Sequence, residues 1–68
     1  MTIRLNGEPK ELAEGATVVA AVALLGVAPD ARGVAVAVDQ EVVPRGAWER
    51  TVLADGARVE IVMAIQGG

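Results

Sequence analysis

Only one stretch of this chain, Thr17–Gly26, has the residue spacing of a helix, and segments of two-residue alternation lie on both sides of it. Val18, Ala21, Val22 and Leu25 follow the i, i+3, i+4, i+7 pattern of a buried stripe. Thr17 stands where a side-chain oxygen can accept a first-turn N–H, and Gly26 where a left-handed residue closes a helix. A lone helix must bury its stripe against another layer. With strands before and after it, the chain is expected to build a mixed sheet of four to five strands packed across that one helix, an α+β architecture. The opposite side carries Val19 and Ala23 rather than charge, which suits tight packing in a small protein better than a docking face.

The strands are marked by alternation and by turn chemistry. Met1, Ile3 and Leu5 alternate with Thr2 and Arg4, and Asn6-Gly7 follows, a dipeptide that suits the positive φ of a two-residue hairpin. Glu8–Leu12 is the return strand, and Pro9, which lacks a backbone donor, predicts an edge position or the strand's first residue. Val34, Val36 and Val38 alternate with Ala35 and Ala37, Asp39-Gln40 turns the chain, and Glu41-Val42-Val43 runs back until Pro44 ends it. An irregular stretch around Gly46–Arg50 carries Trp48, the single aromatic residue, read as core. Arg45 beside it is read either as a partner for an acidic group on another protein or, at least as readily, as a loop brace or ordinary surface residue. Asp55-Gly56 is a further turn, and Ala57–Met63 is the last strand, with Val59, Ile61 and Met63 inward. These readings give a globular domain over 1–64 and a flexible tail over 65–68.

Composition narrows the chemistry. The 68 residues contain no Cys, no His and no Tyr, which removes thiol nucleophiles, thiolate metal sites and the commonest general base. A 53% apolar content with mean hydropathy +0.45 specifies a folded chain rather than a disordered one. The net charge of −3, with six scattered basic residues, speaks against nucleic-acid binding, which needs concentrated Lys and Arg. Val18–Val27 is too short to span a bilayer, and the first residues read as a strand rather than a targeting signal. No membrane partner and a cytoplasmic location are expected. Glu8, Glu11 and Glu14 are read as a solvated face, since paired-carboxylate chemistry needs two groups across a cleft.

Glu41-Val42-Val43-Pro44-Arg45, Trp48 three residues on, Leu53-Ala54-Asp55-Gly56, Val59-Glu60-Ile61-Val62 and the closing Gly67-Gly68 together resemble the ThiS family of thiamine-biosynthesis sulfur carriers. The opening strand with Asn6-Gly7, and Gly15-x-Thr17 at the helix entry, are similar to that family's N-terminal half. The element order resembles the β-grasp, or ubiquitin-like, fold. The resemblance spans nearly the whole chain, and the combination of Val-Pro-Arg-x-x-Trp with a terminal Gly-Gly is its specific part. A valine- and alanine-rich helix departs mildly from the expected pattern.

The resemblance implies a carrier with no catalytic residue and no bound cofactor of its own. A ubiquitin-activating-like adenylyltransferase would use ATP to adenylate the carboxylate of Gly68. A cysteine-derived persulfide would convert it to a thiocarboxylate, and thiazole synthase would take the sulfur. Ile65, Gln66 and Gly67 would line the partner's channel, although Ile65 serves equally well as the last core residue. Glycines without Cβ atoms fit a narrow passage, and four residues from Ile65 reach roughly 13–14 Å. Two other readings remain open: a carrier of the same fold for another pathway, such as the small subunit of molybdopterin synthase, and a ubiquitin-like interaction module with an inert tail.

Overall fold

Asn6 and Gly7 take φ values of 52° and 85°, the conformation expected of a tight hairpin turn, and they join strand β1 (Thr2–Leu5) to β2 (Glu8–Glu11). The chain is described from a computed structural model over residues 1–28 and 30–64. After β2 come helix α1 (Val18–Leu24), strand β3 (Val34–Val38), strand β4 (Glu41–Val43), a 3₁₀ turn (Arg45–Ala47) and strand β5 (Arg58–Met63). Five strands form one sheet in the order β2-β1-β5-β3-β4. β1 and β5 run parallel, and the other three pairings are antiparallel. The mixed sheet on a single helix is the β-grasp architecture expected from the sequence, and β2, which carries Pro9, is an edge strand.

Alternation decides which strand residues enter the core. Ile3 and Leu5 of β1, Val36 of β3, and Val59 and Ile61 of β5 are buried, and they meet Val18, Ala21 and Val22 of α1. Each such aliphatic side chain contributes roughly 1.5–3 kcal/mol when fully buried. Trp48, Leu53 and Ala57 close the core. The indole of Trp48 is 2% exposed; its Nε1–H donates to the Val43 carbonyl at 3.0 Å, and the Arg45 guanidinium lies 4.4 Å from the ring centroid. Arg45 also donates to the Ala31 carbonyl. It braces the loop, and the Trp48 assignment to the core holds.

Three local expectations are corrected. Thr17 occupies the N-cap position but makes no side-chain cap bond. The first orphan N–H is satisfied from elsewhere: Val18 donates to the Thr51 carbonyl at 3.1 Å, and Thr17 forms an isolated bridge with Val52. Leu25 is 37% exposed rather than part of the stripe. The helix ends at Leu24, and Leu25, with φ −88° and ψ 5°, is its C-cap, so the i+7 position falls beyond the last turn. Gly26 follows with φ 72°, as expected. Met63 is half exposed rather than inward. Seven helical residues span about 10 Å, whereas the six of β5 span about 20 Å, so α1 is too short to cover the whole strand.

Candidate functional site

β5 lies at the centre of the sheet, between β1 and β3, and its last residues lead toward the C terminus. Ile65, Gln66, Gly67 and Gly68, the residues singled out from the sequence, lie outside the described residues, as does the assignment of 65–68 as a tail. What the structure does define is the root from which they start. On the β3 side, five register pairs run from Val38↔Val59 to Val34↔Met63, and the Ala64 N–H then donates to the Gly33 carbonyl at 2.7 Å. Gly33 has φ 74°, and a Cβ there would stand 3.3 Å from the Ala64 Cβ. Glycine at this position permits both the backbone shape and the close approach of the departing strand.

On the β1 side, support comes from a different source. Arg4 N–H donates to the Ala57 carbonyl and Asn6 N–H to the Val59 carbonyl, both at 2.9 Å. There β1 turns into its hairpin. The Asn6 side chain then takes over: its Oδ1 accepts the Ile61 N–H at 2.8 Å, and its Nδ2 donates to the Ile61 carbonyl at 3.3 Å.

The sheet face turned away from α1 is partly apolar near this root. Val62 of β5, 64% exposed, stands opposite Ala35, and Val42 of β4, 76% exposed, stands opposite Ala37. At the other end of β5, Arg4 and Arg58 sit in parallel register. With Asn6, Gly7, Val59 and Glu60 they line an open groove of about 540 Å³. Neither the composition nor the groove supplies a nucleophile paired with a base. Among the described residues no side chain that is polar or charged is buried, and no group of three or more His, Cys, Asp or Glu is placed to hold a metal ion. No helix is long and apolar enough to cross a membrane among the described residues. Glu8, Glu11 and Glu14 are exposed.

Sequence reasoning singled out Gly67 and Gly68, which lie outside the described residues. It missed the Asn6 side-chain bonds, the Gly33–Ala64 contact and the Val42–Val62 strip. Asn6 was legible only as a turn residue, because its amide meets Ile61 across 55 positions of sequence.

The ThiS family model matches residues 3–68. A crystal structure of the thiamine biosynthesis protein ThiS from Geobacter metallireducens superposes with a TM-score of 0.79 at 34% identity, each chain covered in full. A solution structure of a thiamine biosynthesis protein from the same organism gives 0.78 at 34% identity, covering all of this chain and 88% of that one. A thiazole synthase of Paramagnetospirillum magneticum is 38% identical over 68 residues, all of this chain but 20% of that protein. The present chain thus spans about a fifth of the length of that curated relative. With a β-grasp sheet, no catalytic side-chain pair, and a match that runs through the final glycine, the chain belongs to the ThiS family of thiamine-biosynthesis sulfur carriers.

Proposed function

We propose that this chain carries sulfur as a thiocarboxylate on Gly68 and delivers it for thiazole formation. The observation that carries this reading is the family match extending to residue 68 in a chain with no Cys and no His. A protein without a thiol can present sulfur only on a group that is first activated. A carboxylate ionises with a pKa of roughly 3.5 and is a poor electrophile at neutral pH. Attack of a Gly68 carboxylate oxygen on the α-phosphorus of ATP releases pyrophosphate and leaves an acyl adenylate. The terminal sulfur of a persulfide then attacks the carbonyl carbon and AMP departs. A second thiol cleaves the resulting S–S bond, leaving the thiocarboxylate. Division of one hard step into easier ones is the general logic of covalent activation.

Two enzymes act on the tail in turn in this reading. An adenylyltransferase of the ubiquitin-activating type holds Gly68 at its ATP site, and ATP belongs to that enzyme rather than to the carrier. The exposed strip of Val62, Ala35, Ala37 and Val42, beside the root of the tail, is the face that meets this enzyme. Thiazole synthase is the acceptor, a pairing supported by the occurrence of a segment like this chain within a polypeptide named thiazole synthase. Ile65, Gln66 and Gly67 traverse the active-site channel in both.

Intact-mass spectrometry tests the carrier role. After incubation with ATP, an activating enzyme and a persulfide source, the chain ending at Gly68 gains the mass difference between sulfur and oxygen, located on Gly68. A chain extended by one residue beyond Gly68 gains nothing. Sulfur acquired by the extended chain would overturn the mechanism. A loaded carrier that thiazole synthase leaves intact would overturn the assignment to thiazole formation and favour another sulfur pathway.

A further inference from the structure

Parallel pairing between β1 and β5 covers only Arg4↔Arg58 and Leu5↔Val59. Continued by one step, the ladder would offer the Ile61 N–H a carbonyl, and the Ile61 carbonyl an N–H, from the backbone that follows Leu5. That extended backbone is not there, because Asn6 at φ 52° and Gly7 at φ 85° turn the strand back into β2. The side-chain amide of Asn6 has the same donor and acceptor as a peptide group. It occupies the vacated rung, with Oδ1 on the Ile61 N–H at 2.8 Å and Nδ2 on the Ile61 carbonyl at 3.3 Å.

We propose that Asn6 is a positioning residue for the reactions at Gly68: it acts as a false peptide of β1 that holds the root of the tail from one side while Gly33 holds it from the other. This inference rests on the carrier reading above. Ile61 is three residues before Ala64, whose N–H is bound to the Gly33 carbonyl. Met63 and Ala64 are exposed, so the core does not hold them. Their direction is set by what grips β5 just upstream. With both sides gripped, the carboxylate starts from a fixed anchor, and less freedom remains to be lost when an active site orders the tail.

Asn6 also explains a coincidence in the sequence. A hairpin turn needs a residue that tolerates positive φ, and Asn, Asp and Gly all do. Of the three, only Asn can both donate and accept at Ile61. The turn alone leaves the choice open; the rung decides it.

Asn6→Gly is the informative variant, since glycine keeps the turn and removes only the amide. Amide hydrogen exchange on the intact chain should show Ile61 exchanging at least tenfold faster relative to Ile3, which stays protected by β2. In the sulfur-loading reaction, kcat/KM for Asn6→Gly should fall about tenfold. Val22→Ala, a core variant on the helix side, lowers stability without touching the rung and should lose less than twofold. Asn6→Asp retains the acceptor alone and should fall between glycine and the native residue. The proposal is overturned if Ile61 exchange follows Ile3, or if Asn6→Gly loads sulfur as well as Val22→Ala. If the native chain acquires no sulfur, the carrier reading fails, and the exchange measurement still decides whether Asn6 holds the strand.

Discussion

Replacement of Trp48 by Phe probes how the only aromatic side chain is held, and its cost can be worked from three contacts. The indole is 2% exposed, so its loss is a core event. Phe retains one ring but removes the Nε1–H bond to the Val43 carbonyl at 3.0 Å, which keeps its ladder partner Val36. Loss of one such hydrogen bond costs about 0.5–1.5 kcal/mol. The Arg45 guanidinium, 4.4 Å from the ring centroid, is held less well by Phe than by Trp, a loss of about 0.5 kcal/mol. The expected total is roughly 1–2 kcal/mol, against about 3–5 kcal/mol for Trp48→Ala. A chain of 68 residues has about 3–10 kcal/mol in all, so the alanine variant should lose about a third of its stability or more. Each kcal/mol shifts the midpoint by about 4–8 °C in a domain of this size, placing Trp48→Phe about 4–16 °C below the native protein. Urea and thermal melts should be followed by far-UV circular dichroism, because the substitution removes the fluorophore. A loss below about 0.5 kcal/mol for Phe would refute the claim that the Val43 bond pins the ring.

Other variants test the corrected local features. Thr17→Ala should cost less than about 0.5 kcal/mol in a urea melt, instead of the ~1 kcal/mol of a working cap, because the Thr17 side chain makes no cap bond. Gly33→Ala forces a Cβ into the left-handed region, about 1–2 kcal/mol, and places it 3.3 Å from the Ala64 Cβ. Gly7→Ala meets no atom within 4 Å, so its melt should show the conformational cost alone, and only Gly33→Ala should move the Ala64 amide resonance. Val62→Glu, on an exposed position, should leave stability within about 0.5 kcal/mol. It should lower kcat/KM for sulfur loading at least tenfold by placing charge on the docking strip beside Glu60.

The parts of the fold that were legible in the sequence are those decided by neighbouring residues. Asn6-Gly7 and Asp39-Gln40 announce hairpins because positive φ is a local demand, and both residues of each pair meet it. Valine–alanine alternation announces β3 because side chains on a strand alternate faces whatever lies opposite. Strand order is another matter: alternation alone does not set β5 between β1 and β3, and only the folded structure shows it there. Thr17, Leu25 and Met63 were misjudged for one reason, namely that their surroundings depend on how long the helix is relative to the sheet and on which loop packs at its start. The site divides similarly. Gly67-Gly68 was singled out from the family resemblance and the lack of Cys and His, whereas the grip of Asn6 on Ile61 exists only once β1 and β5 lie side by side.

That juxtaposition bears on why the carrier is built this way. In the carrier reading proposed above, a group that enzymes must reach would be poorly anchored by an edge strand with one neighbour. The last strand is instead the central one, bonded on one side to β3 through five register pairs and on the other to the first strand of the chain. Segments from opposite ends of the sequence therefore secure each other, and opening either edge of the sheet, β2 or β4, leaves β5 paired. The residue that closes the first hairpin, Asn6, also completes the pairing of the strand that leads to Gly68.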